Sequence, residues 1–326
     1  MAKSRSLGGL IFLLIVIGLG VAAFLNRQWL VDYWRGHDYV PTNEMGKIEE
    51  KLNLTERGEF LFKASRPELE ESEKFNENCR SGSEEEIAVL GCYTEKNIYI
   101  YNITDTELDG IRELTTAHEL LHAVWARMSA SERKELDLVL TKAFEENQEL
   151  LGSELDTYPD SQKQEELYVR AGTEVKKLPE LLEAHYGEIF KDQDKIVDFY
   201  EKYIAVFREI EARMTTLKAE MDEIGIVIDA KTEEYKQRSE QLAADAVSFN
   251  ACADTEGCFQ TEADFYGRRA ELVAEQEALN MMYEELNALI EGYNIKVNEY
   301  NENVIKNQEL NQKINSNTRP EGLQQD

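Results

Sequence analysis

Basic clusters are missing from this chain. Past a short N-terminal stretch no run of lysine and arginine stands out, and 65 acidic against 36 basic residues give a formal net charge of -29 at pH 7. So acidic a body is repelled by phosphate backbones and by anionic headgroups, and nucleic acid is not expected as a partner. Histidine is scarce, with four in 326 residues. Tryptophan is scarcer: Trp29, Trp34 and Trp125 form no row of the kind that binds carbohydrate. The four cysteines include no CxxC pair, which argues against a structural zinc site built from thiolates. Of the three ways to join them, the two local pairs, Cys79–Cys92 and Cys252–Cys258, are the simplest and would act as staples in an oxidising compartment.

Charge is also absent from LGGLIFLLIVIGLGVAAFL, residues 7–25. A helix of that length is long enough to cross the hydrocarbon core of a bilayer. Lys3 and Arg5 precede it, so the N-terminus is expected in the cytoplasm and everything after residue 26 outside, although Arg27 and Arg35 reduce the asymmetry. The alternative is a cleaved signal peptide ending at the small residues Val21-Ala22-Ala23, but the apolar run is longer than a usual signal core.

Against these absences stands one dense motif, His118-Glu119-Leu120-Leu121-His122, in the run TTAHELLHAVW. Residues four apart lie one turn above each other on a helix, so both imidazoles can reach one metal ion while Glu119 flanks its open side. Thr115, Thr116, Ala117, Leu120, Leu121, Ala123, Val124 and Trp125 carry no charge, as a buried metal-bearing helix requires. The plainer alternative is a pair of half-buried histidines on an amphipathic helix.

The run resembles that of the zincin metallopeptidases, which share HExxH in an uncharged helical setting. The resemblance implies one zinc ion per chain held by His118 and His122, Glu119 as general base on the water that the metal activates, and a peptide or protein substrate. Metzincins would add a third histidine six residues past the second, where this chain has Met128. The gluzincin pattern takes a glutamate from a later helix instead, and QKQEELYVRAGTEV offers Glu165, Glu166 and Glu174. Glu166, Arg170 and Glu174 are spaced by four and share a helix face. Glu166 is the expected third ligand, with Glu174 as the alternative ligand or as support for one from behind. For the developing oxyanion the candidates are His185 and Tyr186 in LLEAHYGEIF, beside Tyr168 and Arg170. Upstream, IAVLGCY (87–93) and NIYIYNI (97–103) read as a hairpin across Thr94-Glu95-Lys96. In zincins an edge strand beside the active-site helix binds extended peptide by strand addition, a part expected here of Ile98-Tyr99-Ile100-Tyr101.

From about residue 190 the pattern changes. Ile196, Tyr200, Tyr203, Phe207, Ile210, Met214, Leu217, Met221, Ile224 and Ile228 alternate spacings of four and three, the seam of a coiled coil, which thins through Tyr235, Leu242 and Phe249. The rhythm resumes at Leu272, Leu279, Tyr283, Leu286, Ile290, Tyr293, Val297, Tyr300 and Val304, with Gln276 as its polar position. The expected fold is therefore mainly α with an α+β catalytic domain. Residues 1–6 form a cytoplasmic tail and 7–25 a transmembrane helix. A zincin-like domain with a small antiparallel sheet spans 26–190. An antiparallel coiled-coil hairpin spans 191–316 with its tip near 250–262, and 317–326 form a disordered tail. The hairpin would serve a protein partner or self-association. The competing reading is a non-catalytic, membrane-anchored scaffold in which HExxH is vestigial or coincidental.

Overall fold

A computed structural model of the chain describes residues 4–79, 89–155 and 158–316, without the side chains of residues 4–10, 153 and 154. The tail from residue 317, residues 1–3 and the first two residues of the 87–93 strand lie outside the described residues. The protein is mainly helical with a small three-stranded sheet, and it divides into two compact units, Met1–Val206 with Leu310–Asp326, and Phe207–Glu309.

In the first unit the apolar stretch is helical from Ser4 to Leu25 (α1), and its side chains from Ile11 to Leu25 are all exposed. Among the described residues no single helix is long and apolar enough to cross a membrane; one candidate is the bent pair Ile11–Leu25 with Arg27–His37 (α2), which meet at 69°. Two short helices follow, Asn43–Leu52 (α3) and Glu56–Ser65 (α4), each started by a threonine whose side chain accepts a hydrogen bond from the third residue on, Thr42 from Met45 and Thr55 from Gly58. Thr55 does more than cap, because its hydroxyl donates to the Glu188 carbonyl at 2.5 Å. Thr55→Ala is expected to destabilise the unit by about 1–2 kcal/mol. Urea unfolding checks this, with Thr55→Ser recovering most of the loss.

The sheet consists of Glu68–Glu70 (β1), Gly91–Tyr93 (β2) and Ile98–Tyr101 (β3), in the order β1-β3-β2. β2 and β3 form the expected antiparallel hairpin, but the sheet is mixed, because β1 pairs with β3 in parallel on its other side. Ile98–Tyr101 is thus the central strand and has no edge to offer a peptide. Its pleat puts Ile98 and Ile100 into the core and leaves Tyr99 and Tyr101 half-buried. The helix Ser72–Asn78 (α5) between β1 and β2 is tied to the sheet by the Cys79–Cys92 disulfide.

Ile111–Arg127 (α6) runs through the middle of this unit and carries the HELLH run. Around it lie α3, α4, the sheet and Asp160–Glu174 (α9). Between them Ala130–Glu146 (α7) opens with a capping box of Ser129 and Glu132. Gln148–Leu155 (α8) and Glu180–Tyr186 (α10) complete the surround. The core they share includes Leu52, Phe62, Ile98, Ile100, Leu120, Leu121, Tyr168 and Tyr186.

The helices Gln193–Ala253 (α11) and Glu262–Ile314 (α12) supply the second unit. Within it they run antiparallel: Arg213 pairs with Glu299, Lys296 with Glu220, Lys231 with Glu285 and Arg238 with Glu275, so partners fall on one helix as they rise on the other. On α11 the seam from Phe207 to Ile228 is shielded from solvent at every expected position. On α12 Leu272, Leu279, Leu286, Tyr293, Val297, Tyr300 and Val304 are shielded as expected, but Tyr283 and Ile290 are exposed, while Met282 and Leu289 turn inward. Gln276 is exposed too, and the polar seam residue is Glu275, held by Arg238 at 2.8 Å. Cys252–Cys258 closes the connecting loop, as expected, beside a cluster of Phe249, Phe259 and Phe265.

Candidate metal centre

The apolar residues of TTAHELLHAVW face the core because α6 is enclosed on several sides, and its hydroxyls are spent within the helix, Thr115 donating to the Ile111 carbonyl and Thr116 to that of Arg112. That leaves His118 and His122 as neighbours on one face, with ring centroids 5.0 Å apart. Opposite them α9 delivers Glu166, which is buried. Gly172 permits the approach: a Cβ there would stand 2.6 Å from both Leu121 Cδ1 and Tyr186 Cε1.

One ligand atom from each of His118, His122 and Glu166 lies within 4.8 Å of the others, so the group can hold a metal ion. The carboxylate oxygens of Glu166 are 3.7 Å from His118 Nε2 and 3.5 Å from His122 Nε2. Donors placed tetrahedrally about zinc at its usual bond lengths stand about 3.3–3.5 Å apart, and the two Glu166–histidine separations come close to that spacing. Glu165, next in sequence, accepts at 2.8 Å from the other ring nitrogen of His122 and fixes its orientation, a role the sequence left unassigned.

Glu119 is buried on the same helix, beneath the sheet. Burial, resisted by His122 but helped by Glu166, lifts its carboxyl to about 7, and the Tyr93 backbone amide hydrogen-bonds to it. Burial drives His118 down to about 4. It presses on His122 as well, but the Glu165 and Glu166 carboxylates outweigh it and lift that imidazole to about 10. Glu166 also feels burial, and the two histidines and Arg170 still hold it below its ordinary value.

The other expected residues lie elsewhere. Glu174 does not join the metal group: both its oxygens accept from Arg170, at 2.8 and 2.9 Å, in a buried bidentate pair. Tyr186 is fully buried and its hydroxyl donates to the Tyr168 carbonyl at 2.6 Å, so that proton is spent inside the core. His185 bonds through Nε2 to the Tyr168 hydroxyl, and the charges nearest it are Glu188, Arg57 and Glu132. Neither joins the metal group: both rings pack on Tyr168, with centroids 5.5 Å away for His185 and 5.3 Å for Tyr186.

The strand beside the site is β2. Leu90 accepts from Tyr101 and Thr94 donates to Asn97, so by alternation Gly91 and Tyr93 direct their backbone groups to the edge away from β3. That edge has no strand partner among the described residues. Gly91 lies directly on α6: a Cβ would meet Thr115 Cγ2 at 2.6 Å and Glu119 Cγ at 2.8 Å. Gly91→Ala is expected to push Glu119 aside and destabilise the fold by about 1–3 kcal/mol, read by thermal unfolding beside the wild type. No protein-family model, curated protein or solved structure matches this chain.

Proposed function

We propose that this protein is a membrane-anchored, extracytoplasmic zinc metallopeptidase. The observation that carries the reading is the convergence of His118, His122 and Glu166 within one ion's reach, with a buried carboxylate, Glu119, one residue along the same helix. Zinc bound there would supply Lewis acidity for the scissile carbonyl and a water acidic enough to lose its proton near neutrality. Glu119 is the base that takes that proton and then hands it to the leaving amine. A carboxyl poised near 7 suits both transfers better than one at its ordinary value. Glu165 would keep His122 turned toward the ion, and the outer edge of β2, where the Tyr93 amide is already held by Glu119, would offer its remaining backbone groups to the substrate as an added strand. Pairing through backbone groups gives affinity with little dependence on side chains. Anchoring by α1 and the two disulfides fit an oxidising outer compartment.

The experiment is zinc analysis of the purified chain together with hydrolysis of a fluorescence-quenched unstructured protein, before and after treatment with a chelator. One zinc per chain, with activity lost on chelation and restored by zinc, is the expected result. A folded, zinc-supplemented chain that carries no metal overturns the reading and leaves a coiled-coil scaffold in its place.

A further inference from the structure

The helix α2 turns Asp32 and Arg35 toward the protein and leaves Arg27, Gln28 and His37 exposed. Both oxygens of Asp32 accept from Arg127, at 2.8 and 3.0 Å, and Gln28 donates to Asp32 at 3.2 Å. Arg35 donates to the Ala64 and Lys96 carbonyls and to Asn97 Oδ1, all within 3.0 Å. Its apolar and aromatic residues face outward, with Trp34 69% exposed, Trp29 54%, Val31 50% and Tyr33 47%. A helix on a water-facing surface has the opposite arrangement.

We propose that this outer face of α2 lies in the headgroup layer of a lipid bilayer, so that the metal-bearing unit is held flat against the membrane. The occupant follows from what precedes the face. Only Asn26 separates α2 from α1, whose described side chains are apolar and exposed. With α1 along the bilayer normal, the 69° bend lays α2 close to the membrane plane. Tryptophan and tyrosine concentrate at that depth, where an apolar ring and a polar edge are both accommodated. The inner face passes this placement on. Arg127 ends α6 and also donates to the Tyr93 hydroxyl on β2, while Arg35 holds the β2–β3 turn, so the helix in the headgroups is bonded to both sides of the site. The proposal rests on the anchoring role given to α1 and is independent of the peptidase reading.

The test uses the full chain in phosphatidylcholine vesicles whose lipids carry bromine either near the headgroup or near the end of the acyl chain. Bromine quenches tryptophan on contact, and Trp125, buried in the core, serves as the unquenched reference. Shallow bromine is expected to quench more than deep bromine, and Trp34→Phe is expected to remove a large part of the shallow quenching. If the chain floats with the vesicles but Trp34→Phe leaves the quenching unchanged, the proposal is overturned while anchoring by α1 stands. Failure to float at all removes the anchor and the proposal together. A Trp34→Cys variant that oxidises to a dimer in vesicles, without quenching, assigns the face to a second copy of the chain instead.

Discussion

Glu166→Ala is expected to lose the zinc proposed for the wild-type chain, while Glu174→Gln keeps it. Glu166 provides two oxygens at 3.5 and 3.7 Å from the two histidine nitrogens, and among the described residues no other carboxylate joins that cluster. Removing an outer partner of a metal ligand already costs about 10–100-fold in affinity, and a ligand costs more, so a loss beyond about 100-fold is the expectation for Glu166→Ala. Glu165→Gln falls in the lower range, because its effect passes through His122. Glu174 acts on a different quantity. It is the bidentate partner of Arg170, which is buried, and breaking a buried pair from one side costs about 3–5 kcal/mol. The two glutamates therefore separate cleanly: elemental analysis distinguishes Glu166→Ala, and chemical unfolding distinguishes Glu174→Gln. Zinc lost from the second variant and kept by the first would reverse the assignment.

Glu119→Gln is expected to keep one zinc per chain and to lose hydrolysis by about 10²–10⁴-fold, the usual worth of a positioned general base. Glutamine has the shape of the carboxylate and can still accept from the Tyr93 amide, but it cannot take a proton. Steady-state kinetics on the unstructured protein substrate should show the loss in kcat with KM little changed, since Glu119 is assigned to proton transfer and not to binding. A variant as active as the wild type would remove the base from the mechanism.

The metal group was legible because it depends on local spacing. His118 and His122, four apart, could be placed on one helix face from sequence alone, and the absence of charge around them foretold burial on α6. Glu166 was separable from Glu174 only in space, since both stand on the same face of α9 and one turns out to belong to Arg170. The edge strand was misread for a different reason. β1 is the three-residue segment Glu68-Leu69-Glu70, which has no apolar alternation to announce a strand, and it covers the side of β3 that would otherwise be open. On α12, Tyr283 and Ile290 lost the seam to Met282 and Leu289 because both tracks keep a three-four rhythm after Leu279. Periodicity cannot choose between two apolar tracks one residue apart; only the partner helix can. His185 and Tyr186 carried no signal beyond their chemistry, and packing decided their place.

The first compact unit is not contiguous in the chain, and this sets a constraint on biosynthesis. Residues from Leu310 onward belong to it: Ser72 and Asn76 on α5 both donate to the Ser316 carbonyl, and Lys313 pairs with Asp105. More than two hundred residues separate these partners, so contacts of the first unit close only after the whole hairpin has been synthesised. A nascent chain must hold that unit unfinished while Phe207–Glu309 emerges. Premature termination inside α12 would accordingly yield a protein damaged at α5, the helix that Cys79–Cys92 staples to β2, rather than one merely shorter at its far end.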